Sequence, residues 1–297
     1  MSIYVGNKRY APYIGDKRRR YMGDKEIIKN YLAFVAIEDG TFTPPKQMEY
    51  SLDGKTWTTL AANTASPTIT AGNKIMWRAT LAGGINGIGK FSGSADYKVE
   101  GNLMSIYYGE NFEDVTAASG KYGIGRALFN NETHLIDASN LVLSALTLNN
   151  NMYYEMFKGC SHLTAAPVLP AATLTQGCYQ YMFQSCSSLV TAPTISATTL
   201  ASECCTQMFR GCSNLTTAPV LLAETLVSNC YKEMFYQCSK LNYVKAMFTT
   251  TPDSSYTSNW LYGVASSGTF VKNSTATWSV TGTAGVPNNW TVETASS

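Results

Sequence analysis

Apolar residues in the second half of the chain recur with a fixed step. Met-Phe pairs fall at Met156-Phe157, Met182-Phe183, Met208-Phe209 and Met234-Phe235, each followed by a cysteine (Cys160, Cys186, Cys212, Cys238) and a leucine (Leu163, Leu189, Leu215, Leu241). Every landmark advances by 26 residues. A second leucine series runs Leu148, Leu174, Leu200, Leu226, and prolines stand at Pro167, Pro193 and Pro219. The stretch from Ala127 to Leu148 matches Glu155 to Leu174 with two extra residues, which makes it a degenerate first copy. Self-similarity at a fixed period of about 20 to 50 residues predicts a solenoid of stacked units.

Within one unit Cys178, Met182 and Cys186 lie at i, i+4 and i+8 with Phe183 beside Met182, a spacing that predicts the apolar face of a short helix or helical turn. Asn150, Ser202 and Ser228 stand two residues ahead of this run as candidate caps, with the weaker Gln176 in the remaining copy. The following "LVTAPTI" (Leu189 to Ile195) predicts a brief strand closed by a proline-containing bend. Helix, strand and return turn in 26 residues have the size of a leucine-rich repeat. A lone unit leaves an apolar edge uncovered, so units must stack and like side chains must form ladders. Met-Phe, Cys and Leu are the expected core ladders; Tyr153, Tyr179 and Tyr231 form another, interrupted by Cys205.

The ladders account for the cysteines. Seven of the eight (Cys160, Cys178, Cys186, Cys204, Cys212, Cys230, Cys238) occupy two repeat positions, and Cys205 is extra. Ladder side chains run parallel and do not point at one another, which does not suit the disulfide dihedral. Buried free thiols are therefore expected. Zinc needs clustered ligands at short spacing and the chain has no CxxC, so no metal and no cofactor is expected.

Upstream, "QMEYSLDGKTWTTL" (Gln47 to Leu60) alternates about an Asp53-Gly54 turn, a hairpin signature, and "NKIMWRATL" (Asn73 to Leu81) and "SADYKVEG" (Ser94 to Gly101) predict further strands. Several strands at short intervals predict a small, Ig-like β-sandwich. After the repeats, "SGTFVKNSTATWSVTG" and "NNWTVE" predict strands that close the open end. The expected fold is thus α+β and β-rich: an arm over 1–25, a β-sandwich over 26–118, the leucine-rich-repeat solenoid over 119–248 and a C-terminal β cap over 249–297.

Charge changes the picture at one end only. The chain is 14% charged with a net +2, but residues 1 to 30 carry eight basic side chains against three acidic ones, and the rest sum to −3. This segment has its own repeat, "YVGNK", "YIGDK" and "YMGDK", where Gly-Asn and Gly-Asp are tight-turn signals. It is expected to be a docking arm of short extended pieces, presenting Tyr4, Lys8, Arg9, Tyr13, Lys17, Arg18, Arg19, Arg20 and Tyr21 to a partner. The "KRRR" run alone is too short to specify nucleic acid, which is not expected as a partner. No run approaches the ~20 apolar residues of a membrane span, and charges stand where an export signal would be apolar.

The combination "MFxGCSxLTTAP…L…TL…CY", with flanks such as "YLAFVAIEDGTFT", "YSLDGKTWTTLAANTASPTITAGNKIMWRATL" and "NWLYGVASSGTFVKNSTATW", resembles the BspA-type leucine-rich-repeat proteins of gut Bacteroidales over residues 31 to 297. That resemblance implies surface adhesion. Similar sequences occur in phages of these bacteria, and the "YxGxK" arm resembles the virion-attachment end of fibre proteins from gut phages, including crAss-like ones. Together they imply a phage head or tail fibre or another virion appendage, assembled in the bacterial host cytoplasm. Its arm would hold capsid, portal or tail protein. Its repeats would bind a bacterial surface glycan or protein. A purely structural decoration protein and a bacterial adhesin are the alternatives. Fibres are often trimers or dimers, so a homo-oligomer is expected.

An enzyme needs convergent acid, base or nucleophile groups. His134 and His162 are the two histidines and sit at matching repeat positions, while Glu155, Glu203, Glu224 and Glu233 are scattered over different units, so no catalytic residue is assigned. "GIGK" (Gly87 to Lys90) and "GIGR" (Gly123 to Arg126) are explained by loop glycines, and the Asn-x-Thr triplets at Asn131, Asn214, Asn273 and Asn289 by a Thr- and Asn-rich composition. Small polar positions around each strand, Thr164, Thr191, Thr216 and Thr217, are the candidate ligand-binding residues.

Overall fold

The computed structural model describes residues 29–296 and, for segments 3–5, 8–10, 21–22 and 25–26, the backbone. The chain is β-rich, 24% strand and 4% helix, with no closed barrel among the described residues. In the arm, β1 (Ile3–Val5) pairs antiparallel with β2 (Lys8–Tyr10), and β3 (Tyr21–Met22) with β4 (Lys25–Glu26). Val5 faces Lys8 and Met22 faces Lys25, so both pairs are the short extended pieces expected of "YVGNK" and "YMGDK". Tyr4, Lys8, Arg9 and Tyr21 lie in these strands; Tyr13, Lys17, Arg18, Arg19 and Arg20 lie outside the described residues.

Upstream of the repeats lie β5 (Leu32–Ala36), β6 (Phe42–Thr43), β7 (Met48–Ser51), β8 (Thr58–Leu60), β9 (Lys74–Arg78), β10 (Ser92–Gly93) and β11 (Tyr97–Asn102); β7, β8, β9 and β11 are the strands expected from sequence, and β5, β6 and β10 are additional. The β7–β8 hairpin turns at Asp53, whose carboxylate accepts from the Lys55 and Thr56 N–H groups at 2.8 and 2.7 Å. β6 and β10 pair with each other, and Phe42 packs on Phe34 of β5 at 5.3 Å. The main sheet has six strands in the order β12-β11-β5-β9-β7-β8. Its outermost member, β12 (Leu135–Val142), belongs to the degenerate first repeat copy and runs parallel to β11. The sheet therefore crosses residue 118 into the repeats, and one buried core extends from Tyr31 to Trp290.

Beyond β12, equivalent residues stack at the sequence step. Phe129, Phe157, Phe183, Phe209 and Phe235 form a column with ring centroids 5.3 to 5.6 Å apart and planes within 9° of parallel. Met152, Met156, Met182, Met208 and Met234 and the leucines after each cysteine are fully buried beside it. All eight cysteines are free and buried. Cys160, Cys186, Cys212 and Cys238 each donate their thiol to the carbonyl of a phenylalanine in the preceding unit, at 2.9 to 3.1 Å. A small apolar side chain with one weak donor fits a buried carbonyl there. Tyr153 and Tyr179 stack at 6.2 Å, Cys205 interrupts the series, and Tyr231 stacks instead on Trp260.

The segments expected to be short helices are not helical. In the unit starting at Gly177, the N–H groups of Gln180, Met182, Gln184 and Cys186 donate to carbonyls three residues back, whereas those of Gly177, Tyr179, Tyr181, Phe183 and Ser185 donate to Ser202, Cys204, Thr206, Met208 and Arg210 of the next unit. An α-helix would send every N–H four residues back along its own axis. The alternation goes with a positive φ at every fourth residue, Asn151, Glu155, Gly159; Gly177, Tyr181, Ser185; Glu203, Gln207, Gly211; Asn229, Glu233, Gln237, with Tyr153 as an additional one in the first of these units. The result is a ribbon of consecutive tight turns with a true period of four. That period keeps Cys178, Met182 and Cys186 in line, where a helix of 3.6 residues per turn would let them drift by about 40° at each step while still sharing a face. Asn150, Ser202 and Ser228 accordingly have no helix to cap. Among the described residues helix is confined to α1 (Ser105–Tyr108), a 3-10 turn at Gly109–Asn111, and α2 (Ser254–Thr257), which is capped by Asp253.

The expected strand in each unit is reduced to single parallel bridges. Thr191 pairs with Thr217, Leu169 with Ile195, and Leu221 with Ala246. Pro167, Pro193 and Pro219 fall between the two bridging positions of their units and supply no N–H. Where Ser139, Lys245 and Val271 take that place, continuous strands form: β12, β13 (Tyr243–Ala246) and β14 (Thr269–Lys272). β15 (Thr291–Thr294) adds to β14, so β13, β14 and β15 make a parallel three-stranded sheet at the C-terminal end.

Candidate functional site

Three places on the described surface or core gather polar chemistry. The first is an open groove of about 440 Å³ between β7, β9 and the 3-10 turn, lined by Glu49, Arg78 and Glu110 among others. Its charges are already matched. Arg78 Nε lies 2.8 Å from Glu49, its Nη1 pairs with Glu110, and its guanidinium stacks on Trp57 at 4.1 Å. Glu110 also accepts from Tyr31 Oη at 2.7 Å. An arginine held on three sides ties the sheet to the turn and leaves little for a ligand.

The second surrounds Glu132, which is buried at the place Cys160 holds one unit later. Burial pushes its carboxyl up, against the opposing pull of the His134 and Gly93 N–H groups and of the His134 and Lys90 charges. His134 Nδ1 lies 3.1 Å from Asp96. A histidine, two acids and a nearby thiol resemble catalytic components, but Cys160 is fully buried, its thiol is spent on the Phe129 carbonyl, and burial pushes it up to about 12. A thiol so placed is not a nucleophile at neutral pH. His162 is exposed, on the following unit.

The third is the exposed flank of the stacked units. Among the residues singled out from sequence, Thr164 donates its hydroxyl to the Ile136 carbonyl at 2.9 Å and Thr216 to that of Val190 at 3.5 Å. Both tie neighbouring units together. Thr191 and Thr217 are exposed and adjacent through their parallel bridge, and the row continues into Tyr243. A second row was not singled out from sequence: Thr147, Thr173, Thr199 and Thr225, all exposed, with Thr173 bridged to Thr199. The signal was present, because each of these threonines directly precedes a ladder leucine. At the C-terminal end of this second row lies an open groove of about 460 Å³ lined by Thr198, Thr199, Leu200, Leu222, Glu224, Thr225 and Val227.

Among the described residues no group of three or more His, Cys, Asp or Glu side chains is arranged to hold a metal ion, and no helix is long and apolar enough to cross a membrane. In comparisons with known proteins, the chain matches no family model, no curated sequence and no solved structure.

Proposed function

We propose that the chain is a non-enzymatic phage virion protein, a head or tail fibre or related appendage, whose repeats form a leucine-rich-repeat solenoid that binds a bacterial surface glycan or protein. One observation carries the binding role: the stacked units divide their side chains between a core of Phe, Met, Leu and Cys ladders and an exposed flank of hydroxyls in register. Residues on such a flank change without disturbing the core, which is the property a recognition surface needs. Contacts of this kind are individually weak, and several copies on one particle supply avidity.

The virion setting is supported by the resemblance of residues 31 to 297 to BspA-type proteins, which also occur in phages of gut Bacteroidales, and by the "YxGxK" arm. The arm is the proposed contact with capsid, portal or tail protein through Tyr4, Lys8, Arg9, Tyr13, Lys17, Arg18, Arg19, Arg20 and Tyr21. The test has two readings. Purified full-length protein should bind Bacteroidales cells and block phage adsorption, and particles produced with residues 1–25 deleted should lack the protein. Absence of binding across several receptive strains removes the recognition role; normal incorporation of the truncated chain removes the docking role.

A further inference from the structure

The stacked units are built by repetition, so exposed positions that depart from the repeat are informative. Three departures converge on the groove at Thr199 and Thr225. Leu222 stands where the preceding units have Pro170 and Ser196, Glu224 where they have Ala172 and Thr198, and Val227 where they have Thr175 and Ala201. The core residues of the same unit, Leu221, Leu226 and Cys230, are all buried, so the departures are not demanded by packing.

The chemistry of the groove is specific. Glu224 is its one charged lining residue, and its carboxylate makes no hydrogen bond or ion pair within the described chain, while its backbone carbonyl is taken by Thr249 N–H at 2.9 Å. Thr199 and Thr225 present hydroxyls that both donate and accept. Leu222 and Val227 provide an apolar wall. A free carboxylate flanked by hydroxyls and facing aliphatic side chains complements a ring with vicinal hydroxyls on its rim and C–H groups on its face. A carboxylate acceptor strengthens each such hydrogen bond. With no cation in the lining, acidic sugars and phosphates are repelled.

We propose that this groove binds a neutral hexopyranose unit of a surface glycan, with Glu224 accepting hydrogen bonds from its ring hydroxyls and the chain of sugars running on along Thr173 and Thr147. This rests on the recognition role proposed above and narrows it to one ligand class and one position. Native affinity electrophoresis of the full-length protein through gels containing mannan, dextran, galactan or polygalacturonate tests it, with binding to Bacteroidales cells measured in parallel. Expected is retardation by at least one neutral polysaccharide and none by polygalacturonate, with Glu224→Gln and Thr199→Val each weakening the apparent affinity about tenfold or more. Both substituted side chains are exposed, and unchanged thermal unfolding of the variants confirms that only the surface is altered. Retardation that survives both substitutions, or that occurs only with polygalacturonate, overturns the groove assignment. Absence of retardation by every neutral polysaccharide while cell binding persists overturns it too, and points to a protein receptor with the recognition role intact. Loss of both overturns the two readings together.

Discussion

The turn ribbon and the helix make opposite predictions for two substitutions at equivalent positions in successive units. Gly211 has φ +74° and Ser185 has φ +61°. A Cβ built on Gly211 meets nothing closer than Ser185 Oγ at 3.5 Å, an ordinary contact, so Gly211→Ala adds no clash and isolates the backbone term. Placing an L-residue in the left-handed region costs about 1–2 kcal/mol. Restricting the unfolded chain returns about 0.4–1 kcal/mol. The net expectation for Gly211→Ala is a loss of about 1 kcal/mol, and for Ser185→Gly a gain of a little less. In a helix interior the signs reverse: Gly→Ala gains about 1 kcal/mol and Ser→Gly loses about half of that. The assay is urea unfolding followed by intrinsic fluorescence. With a slope of about 2–3 kcal/mol/M, 1 kcal/mol moves the midpoint by roughly 0.3–0.5 M. A midpoint raised by Gly211→Ala together with one lowered by Ser185→Gly refutes the alternating-turn geometry.

Other expectations follow from the ladders. Phe183 lies between two parallel rings at 5.3 and 5.5 Å; Phe183→Ala should cost about 3–5 kcal/mol in urea unfolding, while Phe183→Leu, which keeps most of the volume and loses the two stacks, should cost about 1–3 kcal/mol. A Phe183→Leu cost close to zero would show that stacking adds nothing to burial. The eight thiols should resist a disulfide reagent until the protein unfolds, since all are buried and burial pushes Cys230 and Cys238 up to about 12; rapid labelling of the native protein would contradict the closed core. Burial raises the Glu132 carboxyl above its unfolded value, so its contribution is full below the ordinary carboxylate range and is lost as pH rises through the folded value. Glu132→Gln should therefore raise the melting temperature at neutral pH and leave it near wild type in acid, and a parallel shift at both pH values would exclude the carboxyl as its cause.

The core was legible because it is written in a strict period: Phe157, Phe183, Phe209 and Phe235 had to meet if units stack, and they do. The backbone between them was less so. A spacing of i, i+4, i+8 fits a helical face and a four-residue turn ribbon equally well. Gly159, Gly177, Gly211, Asn151 and Asn229 at the left-handed positions pointed to the second, but Tyr181, Glu203 and Gln207 hid that pattern. They tolerate it because inter-unit hydrogen bonds fix the turns, an effect no local propensity reports. Of the named threonines, Thr191 and Thr217 stand on the exposed flank, while the hydroxyls of Thr164 and Thr216 are spent on bonds between units. The Thr199–Glu224 groove escaped notice because it combines residues from two units.

The register of the phenylalanine column makes deletions of different length unequal in an unusual way. Excising a single residue from one unit would shear every ladder at once. Excising a whole unit of 26 would bring Phe157 onto Phe209, ring for ring, and leave each storey with the neighbours it expects. The smallest benign excision in this region is therefore a large one, and relatives of this chain should differ in height by whole storeys.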